Sequence, residues 1–342
     1  MMKKALEPKF EVQVLSDNRE NVLRFAYRLL GRSLLTHKLT WDKLGERIAD
    51  RIISQKPEAA ILITDVTAGA IPFLKKKGVF TVLSIEDLST DWLAMTNKEA
   101  FFQILSSYSN LSDEVIAVSS SLQRKLQVVG IKAKVVKPGL ETIFVDPQEA
   151  IDRKKNPHIL LNAGTIQFKE SKVAFEQFFG ELSRKYFVKS FGRGKFVNDL
   201  RQEFPSMDWY DYPTSKAAIH NLKNCSIGII IRFNAHNPTR LYFHASMLQP
   251  IIAIGNDWTA EVEENCIGVV SEPETSIESV ERIVTNYDFY VKNIRSFAEA
   301  NLLGKTYAPL LDVLEQNFYS CKISTELNKI TQYTDFIDTN NK

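Results

Sequence analysis

"SDEVIAVSSSLQRKLQVVGIKAKVVKPGLETIFVDP" occupies Ser112–Pro147. Within it, Glu114–Val118 is a short apolar run closed by serines, which suits a strand buried on both faces. "SSSLQRKLQVVG" then reads as a serine-capped helix that stops at Gly130. Lys134–Lys137 is the next strand candidate. A strand, a helix and a second strand in so few residues form a parallel crossover unit. The run "KPGLETIFVDPQEAIDRKKNP", residues 137–157, brings three prolines, mixed charges and weak periodicity, and is read as a linker.

The same alternation extends in both directions. Before the linker, strand candidates fall at Glu11–Leu15, Ala59–Asp65 and Thr81–Ile85, with helical stretches at Thr40–Ser54 and Thr90–Ser109. After it come His158–Ala163, Tyr186–Phe191, Met207–Tyr210, Ser226–Ile231, Pro250–Ile254 and Cys266–Val270, with helices in the gaps. This predicts an α/β protein with two doubly wound, Rossmann-like domains. A chain of 342 residues suits two cores better than one.

Bulk properties narrow the function. The net charge of +2 supplies no field for nucleic acid, so no nucleic-acid partner is expected. Cys225, Cys266 and Cys321 have neither metal-ligand nor disulfide spacing. Cys225 and Cys266 adjoin apolar runs and read as buried thiols. No segment approaches a membrane span, and "MMKKALEPKFEVQVL" lacks a signal-peptide core. A cytoplasmic protein is expected. Lys75-Lys76-Lys77 leaves open a peripheral contact with the inner face of a membrane, against the plainer reading of a solvated face. "FGRGK" (Phe191–Lys195) fails both nucleotide-loop patterns. A dinucleotide fingerprint needs Gly where Val197 stands, and a Walker loop needs more residues between its glycines. What is left is a strand–turn–helix whose amides could meet a phosphate.

Two segments carry a resemblance. Ser112–Pro147 resembles the join between the halves of GT-B glycosyltransferases. There, an acid-then-apolar strand leads to a Ser, a helix and "v.pnG.d...F.p". The matching pieces are Asp113–Ser119 and Val136-Lys137-Pro138-Gly139 through Phe144 and Pro147. "ILLNAGTIQFKES" (Ile159–Ser171) looks like the first strand and loop of that family's C-terminal domain. A third stretch, Asn237-Pro238-Thr239-Arg240-Leu241-Tyr242-Phe243, matches the variant "nSP.Kl.fYlaaG.PVIv" of bacterial hexosyl- and galactofuranosyltransferase-like proteins. The departures are specific. The family's two acids would fall at Ala235 and Phe243, and its helix Gly at Leu248. The N-terminal loop Ser16-Asp17-Asn18 has no Gly.

The resemblance implies an acceptor-side domain over 1–138, a linker over 139–157 and a nucleotide-sugar domain over 158–308. It also implies a C-terminal helix and tail over 309–342 that packs back on the first domain. It implies a hexosyltransferase that uses a nucleotide-diphosphate sugar, acts on a glycan or lipid-linked glycan, and needs no metal or other cofactor. Surface polysaccharide synthesis is the expected setting; the alternatives are an inactive partner subunit or sugar-binding protein, and another enzyme on the same fold such as a nucleotide-sugar epimerase. Arg240 is the first candidate for the leaving diphosphate, because its planar fork holds two oxygens at once. Lys169 and Arg193 are further phosphate candidates, and Gly164 and Thr165 would bring backbone and hydroxyl to the ligand. Pro238 and Thr239 start the helix, and Tyr212 would stack on the base. Asn256 follows a strand at the donor edge, and His244 either faces the donor or caps a packed helix. Asp87 is the leading general base, with Glu86 and Asp65 behind it. For each of these, a surface or capping role is the plainer alternative.

Overall fold

The computed structural model describes residues 2–15, 36–92, 97–155, 159–163, 166, 169–191, 194–210, 222–233 and 239–317. The first half contains α1 (Met2–Leu6), α2 (Lys38–Ile53), β1 (Ala59–Ile63), α3 (Ile71–Lys75), β2 (Phe80–Ile85), α4 (Ser89–Trp92), α5 (Lys98–Ser109), β3 (Glu114–Ala117), α6 (Ser120–Val128) and β4 (Lys134–Val135). Next come α7 (Pro147–Asp152), β5 (Ile159–Ala163), α8 (Lys169–Lys185), β6 (Phe187–Phe191), α9 (Val197–Glu203), β7 (Asp208–Tyr210) and β8 (Ile227–Arg232). The described elements continue with α10 (Thr239–Ser246), β9 (Ile251–Gly255), α11 (Ala260–Glu264), β10 (Gly268–Val270), α12 (Ser276–Thr285), α13 (Tyr287–Ala300) and α14 (Leu303–Thr306). Residues 308–317 are also helical.

The described residues form two sheets, and every described strand pair is parallel. The first runs β1-β2-β3-β4 and the second β10-β9-β8-β5-β6-β7. Alternation along β2 shows how the first sheet is covered. Leu83 and Ile85 pack with Trp41, Leu74, Phe101 and Leu105. Val82 points the other way and joins Ile116, Val136, Ala5 and Leu6. Leu303, Tyr307, Leu310, Leu311 and Leu314 complete that second face. The second sheet has a larger core, built around Phe175, Phe178, Phe179, Ile229, Ile252 and Ile294.

Local signals in the deciding stretch behave as read. Ser119 accepts a hydrogen bond from the Leu122 amide at 3.1 Å, and Gly130 ends the turn after α6 with φ +78°. Other expectations are corrected. Glu11–Leu15 is not a strand; Val14 and Leu15 are exposed and pair with no strand among the described residues. The helical region expected over Thr90–Ser109 holds α4, which starts at Ser89, and α5, which Asn97 caps by accepting from Ala100 N at 3.0 Å. The segment read as a linker includes a short helix, α7, started by Pro147 and capped by Asp146, which accepts from Gln148 N at 2.8 Å. Cys225 is buried, which pushes its thiol up to about 12, but Cys266 is exposed.

Candidate functional site

The strand order of the second sheet fixes where a ligand can bind. From β5 the chain moves outward through β6 and β7. It then returns to lay β8 on the other side of β5 and moves outward again through β9 and β10. In open α/β sheets the crevice at such a reversal, outside the strands' carboxyl ends, is the binding position. Here it lies between the ends of β5 and β8.

Arg232 closes β8 at that crevice and is almost fully buried. Its backbone is held on two sides. The Trp258 indole donates to the Arg232 carbonyl at 2.6 Å, and the Asn256 amide donates to the Phe233 carbonyl at 2.8 Å. Gly255 is the register partner of Arg232, and a Cβ there would stand 2.0 Å from the Arg232 carbonyl oxygen. The close approach therefore requires glycine. Burial lowers the pKa of the Arg232 guanidinium, and the charge of Asp87 raises it.

Asp87 belongs to the other sheet, two residues beyond β2. A second link joins the same edges. Asp257, after β9, accepts from Ser121 Oγ and pairs with Lys125 Nζ, both at 3.5 Å. Ser121 and Lys125 lie on α6, which follows β3. Lys137 pairs with Glu261 of α11 at 2.6 Å. The carboxyl ends of the two sheets thus face each other across a cleft, with a buried arginine on one wall and a half-buried aspartate on the other.

Helix α10 begins on the same side, because it follows β8 and returns antiparallel to it. Thr239 is exposed and Arg240 half-buried in its first turn. One turn later His244 shares the Arg240 face, as their spacing requires, but it points into the core. His244 is fully buried, and its Nδ1 stands 2.8 Å from Gln249 Oε1. The Gln249 amide donates to the Leu222 and Cys225 carbonyls at 3.1 and 3.0 Å. Gly228 of β8 makes room for the ring, since a Cβ there would lie 2.3 Å from Nδ1. Burial lowers the pKa of His244 to about 4, with the Gln249 bond opposing and the Arg240 charge assisting. His244 is therefore corrected from a donor-facing candidate to a core residue. Phe243, at the position where the resembling family has an acid, packs edge-on against Phe191 at 5.2 Å. Leu248 replaces the usual glycine and holds φ +51°. This is a left-handed conformation that costs an ordinary residue about 1–2 kcal/mol.

The other sequence candidates divide by location. Lys169 is exposed at the start of α8, after β5, and Asn256 is exposed after β9. Gly164, Thr165, Arg193, Tyr212 and Pro238 lie outside the described residues. Asp65 is buried and accepts from Val66 N, Ser89 N and Ser89 Oγ at 2.7, 2.5 and 2.8 Å, so it ties the end of β1 to the start of α4. It is corrected from a runner-up base to a clamp. Burial raises the Glu86 carboxyl, and its charge acts on Tyr307. In the lysine run, Lys75 pairs with Asp113 at 2.5 Å and Lys76 lies over the Phe73 ring. No helix among the described residues is long and apolar enough to cross a membrane.

No protein-family model and no curated protein sequence matches the chain. Solved structures do. HepE from Anabaena in complex with UDP superposes with a TM-score of 0.61 at 12% identity, over 79% of this chain and 82% of that one. MnaA of S. aureus with UDP gives 0.58 at 15% identity, over 92% and 91%. The chain has the GT-B fold. A protein from Listeria monocytogenes assigned as a UDP-N-acetylglucosamine 2-epimerase gives 0.56 at 10% identity, over 82% and 80%. GT-B proteins of differing chemistry therefore share this architecture.

Proposed function

We propose that this GT-B protein is a glycosyltransferase that moves a hexose from a nucleotide-diphosphate sugar to a glycan or lipid-linked glycan acceptor. The observation that carries the reading is the pair of arginines at the β5/β8 crevice. Arg232 closes β8 and Arg240 opens the helix that follows it. In transfer, an acceptor oxygen attacks the anomeric carbon, the bond from that carbon to the phosphate oxygen breaks, and the diphosphate leaves with the electron pair. Charge grows on the leaving group, so cations and helix amides already in place stabilise the transition state more than the substrate. Arg240 is assigned to the diphosphate, with Thr239 and Lys169 as neighbours on that wall. Gly164, Thr165, Arg193, Tyr212 and Pro238 are assigned to the donor side, with Asn256 bracing its floor. Asp87 is assigned to the acceptor's proton on the opposite wall. If the sugar's configuration is retained, the leaving phosphate can take that proton instead. Surface polysaccharide synthesis, in the cytoplasm or at the inner face of a membrane, is the setting we infer. UDP in HepE and MnaA supports a nucleotide ligand.

Phe243 favours a second reading. An apolar ring packed on Phe191 replaces a carboxylate that would hold the sugar, as expected of a GT-B protein that binds without transferring. Calorimetric titration with UDP, GDP, ADP and dTDP, followed by a donor-turnover assay, separates the readings. One nucleoside diphosphate should bind, and its sugar conjugate should turn over with acceptor. Binding without turnover favours the second reading, and no binding by any of them overturns both.

A further inference from the structure

The amino edge of the first sheet is a surface that the ligand cleft does not use. All four strands are parallel, so their starts lie together, at the end of the domain opposite the cleft. Neighbouring starts are bonded: Phe80 N donates to the Glu58 carbonyl at 3.0 Å, and Asp113 N to the Thr81 carbonyl at 3.1 Å. Each turn that leads into this edge exposes a lysine or an aliphatic side chain. Lys56 precedes β1, Lys76 and Lys77 precede β2, Leu111 precedes β3, and Val128 and Lys132 precede β4. Leu111 is 51% exposed and Val128 86%. Lys75 and Lys134 pair with Asp113 and Glu114, both at 2.5 Å, so the acids at the start of β3 are already neutralised. The rim that is left carries four lysines against Glu58. Lysines around exposed aliphatic tips complement the two layers of a bilayer interface, anionic headgroups and the acyl chains beneath them.

We propose that this rim docks the protein on an anionic lipid bilayer. Lys56, Lys76, Lys77 and Lys132 lie against the headgroups, and Leu111 and Val128 reach below them. The inference rests on the membrane setting and transferase reading given above and adds an orientation. The first domain stands on its amino edge, and its strands hold the cleft off the surface. The six residues of β2 span about 20 Å. An acceptor carried by a lipid has to bridge that height, so it is an already extended glycan and not the first sugar on its carrier.

Flotation of the full chain with vesicles of phosphatidylglycerol and phosphatidylcholine tests this. Wild type should bind, and high salt should weaken the binding. A lysine near an anionic surface is worth about fivefold in affinity, so Lys76→Glu, Lys77→Glu and Lys132→Glu together should cost more than about a hundredfold. Lys38→Glu, Lys43→Glu and Lys98→Glu make the same charge change at exposed positions nearer the cleft and should keep most of the affinity. Leu111→Ser with Val128→Ser should weaken binding about tenfold and remove the part that survives high salt. All these side chains are exposed, so both cores are left intact. In vesicles with brominated acyl chains, Leu111→Trp should be quenched, and the native tryptophans, none of which is on the rim, should not. Absence of wild-type binding, equal binding by the rim and control variants, or equal quenching of wild type and Leu111→Trp overturns the inference. Vesicle binding without nucleoside-diphosphate binding keeps the docking surface and removes only the statement about the acceptor, together with the transferase reading beneath it.

Discussion

Mild acid should weaken the fold through His244. The ring is buried without charge, and its pKa falls from 6.5 to about 4. A group with a depressed folded pKa that is cationic when protonated favours the unfolded state wherever that state binds the extra proton. The contribution is thus whole above about pH 6.5 and is lost as pH falls toward 4. Two-state linkage with those values gives a loss of about 2 kcal/mol between pH 7 and pH 5, and about 3 kcal/mol by pH 4. The perturbation is His244→Gln, which has a similar volume and does not titrate there. Urea unfolding of both proteins across pH 4–7 supplies the assay. The variant should be less stable at pH 7, because Gln249 loses its ring partner, but its stability should fall less steeply below pH 6.5. The chain's other four histidines act alike in both proteins and cancel in the difference. Identical slopes would refute the placement of a neutral imidazole in this core.

Arg240→Ala should weaken nucleoside-diphosphate binding about tenfold to a hundredfold, as loss of a hydrogen bond to a charged group does, and Arg240→Lys should recover part of it; isothermal titration reads both. Gly255→Ala forces a Cβ against the Arg232 carbonyl and the Trp258 indole. It should cost about 1–3 kcal/mol in thermal or urea unfolding and weaken ligand binding with it. Tyr287→Phe removes the hydroxyl that donates to the Ser226 carbonyl at 2.9 Å beside buried Arg153. A loss of about 1–2 kcal/mol is expected in a urea titration, with nucleotide affinity unchanged.

Most of the fold was legible because buried parallel strands are written as short apolar runs. Ile227–Ile231 and Ile251–Ile254 need nothing else to be found. The misreading at Glu11–Leu15 has a physical cause. "EVQVL" alternates like a half-buried strand, but alternation states only that one face could be apolar, not that a neighbour exists to pair with it. The site was less legible. Arg240 and His244 do share a helix face, yet spacing does not say where a face turns inward. Gly228 opposite the ring and Gln249 behind it settle that, and neither lies on the helix whose face they define. Arg232 was missed because it closes an otherwise apolar run and so reads as the strand's end. A charged residue in that position, followed later by Asn256 and Trp258 after the neighbouring strand, was the available signal.

The helical residues after Leu303 impose an order on synthesis. The second sheet and its helices, β5 through α13, form from an unbroken stretch of chain. The first sheet does not: Val82, Ile116 and Val136 wait for Leu303, Tyr307 and Leu310 to cover them. A ribosome delivers those three residues after the whole second sheet, so the half that emerges first is the half that finishes second. Until then its sheet presents an uncovered apolar face, the kind of transient surface that chaperones bind and that aggregates when crowded. A released chain truncated near residue 301 should therefore carry a protease-resistant second domain behind a first domain that is still digestible.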